Sequence, residues 1–111
     1  MDAEWIRTYC LSLNGATEIF QWEALVFKVA GKIFATLRLE QGHVALKCTP
    51  EEFAELVERE GIIQAPYAAR NHWVSIQDLG VVTRQELKGL IQNSYGLVVA
   101  KLPKKVRAGL T

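Results

Sequence analysis

Hydrophobic positions along the chain change period several times, and each change marks an element. Ile6, Tyr9, Cys10 and Leu13 fall at helical spacing on one stripe. Asp2 is a good N-cap and Asn14-Gly15 a stop, so a helix is predicted from about Asp2 to Leu13. Thr17 to Trp22 shows no such order and reads as an irregular lead-in to a sheet. From Ala24 the period is two. Leu25, Phe27 and Val29 alternate with Val26 and Lys28, and Ala30-Gly31 turns the chain. Ile33, Ala35, Leu37 and Leu39 then alternate with Phe34, Thr36 and Arg38, which completes a hairpin signature. Glu40-Gln41-Gly42 turns again. A third strand follows, with Val44, Leu46 and Cys48 inward and Ala45 and Lys47 outward.

Thr49-Pro50-Glu51-Glu52 is a strong helix start. Thr49 can cap, Pro50 suits the first helical position, and Glu52 completes a capping box. Phe53, Leu56 and Val57 form the buried face, and Gly61 ends the helix. Residues 62–71 read as a loop containing Pro66. His72 to Ile76 reads as a fourth strand, with Trp73 and Ser75 on one face and His72, Val74 and Ile76 on the other. Thr83 opens the last helix, with Glu86 completing a second capping box. Leu87, Leu90, Ile91, Ser94, Val98 and Leu102 share its inner stripe. Pro103 ends it and leaves a basic tail. The order is α-β-β-β-α-β-α. Strands joined by short turns are antiparallel. The predicted fold is α+β, an antiparallel sheet with helices packed on one face and the second face left to solvent or a partner.

At 111 residues the chain is one domain spanning residues 1–111. Half of it is hydrophobic, which excludes a disordered chain. No apolar run approaches the roughly 18 residues of a membrane span. Met1-Asp2-Ala3-Glu4 is no signal-peptide start. With two widely spaced cysteines, Cys10 and Cys48, neither a disulfide framework nor a zinc site is expected. The expectation is a cytoplasmic protein with reduced, partly buried thiols. The net charge of +1 hides a strong asymmetry. Residues 1–48 are balanced, residues 49–60 carry −4 and residues 61–111 carry +5.

Enzyme motifs are largely absent. There is no Gly-rich phosphate loop, H-E-x-x-H or G-x-S-x-G. His43 reads as a solvated strand-end residue and His72, beside Trp73, as a packing residue. Glu51 and Glu52 suit a helix N-terminus. No catalytic residue, metal ligand or cofactor is assigned, and the chain is not expected to be an enzyme. The outward sheet face is more informative. Alternation places Lys28, Phe34, Thr36, Arg38, Lys47 and Trp73 there. Basic groups among aromatics can contact phosphates and stack on bases, although plain surface strands also carry Lys and Thr. Lys101, Lys104, Lys105 and Arg107 form a second basic cluster, which also suits a helix C-terminus.

These segments resemble the MmcQ/YjbR family of small bacterial proteins. The resemblance rests on Phe27-Lys28-Val29-Ala30-Gly31-Lys32-Ile33-Phe34-Ala35, on Ala45-Leu46-Lys47-Cys48 and on Ala65-Pro66-Tyr67. His72-Trp73-Val74, Ser94-Tyr95 and Lys101-Leu102-Pro103-Lys104-Lys105 continue it. It implies a frataxin-like fold and a DNA-binding role with a double-wing arrangement. Frataxin-like iron binding is not carried over, because the first helix has only Asp2 and Glu4 as acids. The leading expectation is a nonenzymatic DNA-binding module. Lys28, Lys32, Arg38 and Lys47 would contact phosphates, Trp73 would be a stacking platform, and Lys104, Lys105 and Arg107 would add charge. The alternative is a protein- or small-ligand-interaction module using the same face.

Overall fold

The computed structural model describes residues 2–66 and 72–110. Helix α1 spans Ala3–Ser12, with the Asp2 carboxylate accepting from the Trp5 N–H at 2.9 Å as its cap. Four strands follow: β1 (Ala16–Gln21), β2 (Ala24–Val29), β3 (Lys32–Arg38) and β4 (His43–Lys47). Helix α2 (Pro50–Leu56) leads to β5 (Ile62–Gln64) and β6 (Trp73–Ile76). A 3-10 turn at Leu79–Val81 precedes α3 (Arg84–Ala100) and the short α4 (Lys104–Ala108). The six strands form one antiparallel sheet in the order β1-β2-β3-β4-β6-β5. Helices α1 and α3 pack on one of its faces.

The α+β class and the predicted element order hold, with additions at the edges. Thr17 to Trp22, expected to be irregular, lies largely in edge strand β1. Its apolar residues are exposed, so burial gives it no one-sided pattern. Ile62–Gln64, expected to be loop, is the three-residue edge strand β5. Residues 67–71 of that expected loop lie outside the described residues. The basic tail is helical: α3 ends at Ala100, and α4 folds back so that the Asn14 amide donates to the Leu110 carbonyl at 3.0 Å.

Capping explains two helix starts. Thr49 and Glu52 form the full reciprocal box, at 3.1 and 3.0 Å. The expected box at Thr83 is only half made. Thr83 accepts from the Glu86 N–H at 3.0 Å, but the Glu86 carboxylate turns to the Arg59 guanidinium instead. A two-pronged charged pair outweighs one neutral backbone donor. Arg59 in turn holds Glu86 below the usual carboxylate range. Trp5 and Tyr9 stack at 5.7 Å on α1, and the Arg84 and Lys88 cations of α3 lie over their rings at 5.4 and 5.6 Å. Both pairs are one helical turn apart, so α1 and α3 interlock along that line.

Phe34 and its neighbour Ile33 lie on the faces opposite to those expected. Register runs from Phe27 opposite Ala35 to Lys28 opposite Ile33, so Phe34 is the extra residue of a β-bulge. The bulge reverses the alternation. Phe34 is fully buried against Phe27 and the edge of Tyr95, while Ile33 moves to the other face. The bulge also parts β3 from β4. The buried Ser94 hydroxyl fills the gap, donating to the Phe34 carbonyl at 2.6 Å and accepting from the Lys47 N–H at 2.9 Å.

Two predictions follow from this packing. Ser94→Ala strands a buried donor and a buried acceptor, at about 1–3 kcal/mol each. The variant should lose about 2–4 kcal/mol in urea unfolding, and a loss below about 0.5 kcal/mol would refute the bridging role. Burial pushes the Cys10 and Cys48 thiols up to about 12, with Glu52 adding to the effect at Cys48. Both should label slowly with a thiol reagent in the native state at mildly alkaline pH. Rapid labelling without denaturant would contradict this.

Candidate functional site

The face of the sheet away from the helices is a trough of about 400 Å³. Its shape follows from side-chain size. Along the middle row, register sets Val26 opposite Thr36, Thr36 opposite Ala45 and Ala45 opposite Ser75. Together with Ala24, these small side chains make a low floor. Taller residues flank it. At one end Trp22 follows the last residue of β1, Arg38 ends β3 and His43 begins β4. At the other end stand Ile33 and Trp73, with Ala65 and Pro66 at the β5–β6 edge. None of the lining residues is acidic.

The Trp22 end is unusual in its backbone. The β1–β2 turn places Trp22 at φ 54° and Glu23 at φ 60°. Two consecutive left-handed residues make a type I′ turn, which favours Asn-Gly. For other L-residues each left-handed position costs on the order of 1 kcal/mol. Trp22 is nonetheless 67% exposed. The Arg38 guanidinium donates to its carbonyl at 3.2 Å and makes no ion pair among the described residues.

The opposite end is basic. Lys28 faces Ile33 and Lys32 faces Val29 across the β2–β3 hairpin. Lys47 closes β4 opposite Trp73. Partial burial, then the neighbouring Lys101 ammonium, pulls Lys47 below the usual lysine range. The α4 cations Lys104, Lys105 and Arg107 are exposed. Their helix is anchored near this end, because Leu110 packs on Gly15 and the next residue, Ala16, pairs with Val29. Of the eight expected site residues, Lys28, Lys32, Lys47, Lys104, Lys105 and Arg107 therefore gather toward one end of the sheet. Trp73 stands at that end of the trough. Arg38 lies apart from them, at the Trp22 end.

Trp73 lies half-buried on the face expected for it, while Val74 and Ile76 are in the core. His72 packs edge-on against Phe53 at 5.4 Å, as its reading as a packing residue implied. His43, read as solvated, is half-buried and lines the trough. Trp22 was missed. Its signal was an aromatic residue just before the regular strand at Ala24, but a Trp-Glu pair carries none of the usual marks of a turn. Among the described residues no three His, Cys, Asp or Glu side chains cluster as a metal site would require. No described helix is long and apolar enough to cross a membrane.

Two solved structures share this architecture. The Deinococcus radiodurans protein DR2400, with its DUF419 domain, is 29% identical at a TM-score of 0.89, covering 98% of this chain and 87% of its own. A Pseudomonas syringae protein is 21% identical at a TM-score of 0.71, over 87% of this chain and 98% of its own, and so shares the fold. No curated protein matches the chain. The YjbR family model matches residues 11–97, a span that holds the whole sheet, the Ser94 bridge and the trough. The chain belongs to the YjbR family.

Proposed function

We propose that this chain is a nonenzymatic DNA-binding protein of the cytoplasm, which meets phosphates with the basic end of its sheet. The observation that carries the reading is the gathering of Lys28 and Lys47 on the trough face at one end of the sheet, with Lys32 and Lys101 at the same end on the helix side, beside a trough lined by no carboxylate. Each phosphate neutralised there releases condensed counterions, which favours binding at low salt. The exposed polar side chains of α3 are partly committed inside the protein, Arg84 over Trp5, Lys88 over Tyr9 and Asn93 to Glu52, so the contacts we propose are mainly to the backbone. Two features support a nonenzymatic role. Both thiols are buried and held as thiols, and His72 is engaged in packing. Free buried thiols also suit a reducing compartment.

The trough's volume favours a second reading, a small ligand or a protein segment on the same face. About 400 Å³ falls within the range of small-molecule sites. Salt separates the two readings, since an apolar site loses little affinity as salt rises.

Fluorescence anisotropy with labelled DNA tests the first reading. Lys28→Ala with Lys47→Ala should weaken binding on all sequences about equally. The log-affinity against log-salt slope should become shallower by roughly 0.9 per lost contact on duplex and about 0.7 on single strands. Absence of binding to any DNA at low salt would defeat the reading. Trp73→Ala should cost about 1–2 kcal/mol of stability, less than the roughly 3–5 kcal/mol of a fully buried aromatic, because the ring is half-exposed. A urea-derived loss in the upper range would place Trp73 in the core instead.

A further inference from the structure

The trough offers more than phosphate contacts need. It has a flat, small-residue floor, a tryptophan toward each end and a volume suited to one planar ring system with its sugar. Trp22 sits on the Arg38 side and Trp73 beside the lysines. Three observations at Trp22 point the same way. Its backbone is in a left-handed conformation that Trp rarely adopts, its ring is mostly exposed, and its carbonyl is held by Arg38, which makes no ion pair among the described residues. An aromatic residue kept in such a place calls for a partner outside the chain.

We infer that the trough is a stacking site for an unpaired base of a single-stranded nucleic acid, with Trp22 as a binding residue that nothing in the sequence pattern singled out. The inference rests on the nucleic-acid reading above and deepens it by naming single strands as the substrate class. Charge complementarity favours a strand over a free nucleotide. One phosphate could be met by Arg38, which among the described residues spends a single one of its five donors, on the Trp22 carbonyl. Beyond Trp73 stand Lys47 and, at the same end of the trough face, Lys28, while Lys32 and Lys101 continue the cations round to the helix side, more charge than a single phosphate engages. Successive phosphates of a strand leaving the trough would meet them. A duplex keeps its bases stacked and cannot lay one against Trp22 without extruding it.

The test compares a dye-labelled oligothymidylate with a duplex of equal length by anisotropy, and thymidine monophosphate by tryptophan fluorescence quenching. The single strand should bind more tightly than the duplex. Trp22→Ala should weaken single-strand binding by about 5- to 100-fold and leave duplex binding and the salt slope unchanged. Trp22→Phe should keep most of the affinity. The pair Trp22→Asn with Glu23→Gly gives the turn its preferred residues. It should unfold at higher urea than the wild type yet bind the single strand as weakly as Trp22→Ala, which separates binding from folding. Equal affinity for both DNAs, with Trp22→Ala silent, would overturn the stacking site and leave the phosphate reading standing. Quenching by thymidine monophosphate without strand binding would replace the strand with a free nucleotide. Failure of all three probes would overturn both proposals.

Discussion

The Ser94 hydroxyl occupies the gap that the bulge opens between Phe34 and Lys47, and the two faces of the sheet depend on that closure. A regular β3 would pair with β4 along its length. It would also turn the Phe34 ring onto the face away from the helices and send Ile33 into the core. The trough floor would then have a phenyl ring beside it instead of a shorter branched side chain. The bulge avoids this at the cost of a broken ladder. Two buried backbone groups would be left unpaired, and one hydroxyl, able to donate and accept at once, satisfies both. Ser94 can do so only because it lies on the inner stripe of α3, between Ile91 and Val98. Its neighbour Tyr95 packs against Phe34 and donates to the Asn14 carbonyl at 2.5 Å, while the Asn14 amide holds the end of α4. One turn of α3 thus connects the bulge, the α1–β1 loop and the basic C-terminal helix.

The net charge says little about the field at the sheet. Arg7 pairs with Glu18 and Arg59 with Glu86, so two cations are largely neutralised where they stand. Much of the acid excess lies in residues 49–60, where Glu52 is committed to its cap and to Asn93. The cations left without ion pairs among the described residues are mostly those near the bulge end of the sheet and on α4. A near-neutral protein can therefore present a local positive surface, and such a surface acts within about a Debye length, roughly 8–10 Å in physiological salt.

The parts legible in the sequence were those with a repeated or reciprocal signal. The α3 stripe named six residues, all of them buried in the structure, Ser94 among them. The Thr49–Glu52 box gave the start of α2 to the residue. The alternation in β2, β4 and β6 placed Lys28, Lys47 and Trp73 correctly. What could not be read had no local mark. A bulge changes strand phase by one residue without requiring a special residue type, so Phe34 was assigned to the wrong face. Strand β1 leaves Ile19 and Phe20 exposed on opposite faces, so its burial follows no period of two. Strand β5 is three residues long, too short for a pattern. The competition of Arg59 for Glu86 links positions 27 residues apart and is decided only by the fold.

The turns of the central hairpins make the argument for Trp22. The β2–β3 turn has Ala30 at φ 49° and Gly31 at φ 78°, with glycine in the second place, as a type I′ turn prefers. The β3–β4 turn uses Gly42 at φ 74°. Each of these two hairpin turns thus has a glycine at a left-handed position. The β1–β2 turn has the same left-handed geometry and no glycine at either position. Hydrophobic burial does not explain the choice, because the ring is mostly in water. Core packing does not either, since Trp22 stands on the face without helices. What the tryptophan gains at this position is its place at the lip of the trough, with its backbone fixed by Arg38. An aromatic at the mouth of an acid-free trough, carried on a short turn whose backbone Arg38 holds, lets a ligand ring meet it without the entropy loss of ordering a loop. The strain in the turn and the exposure of the ring then have one physical explanation, a site built before its ligand arrives.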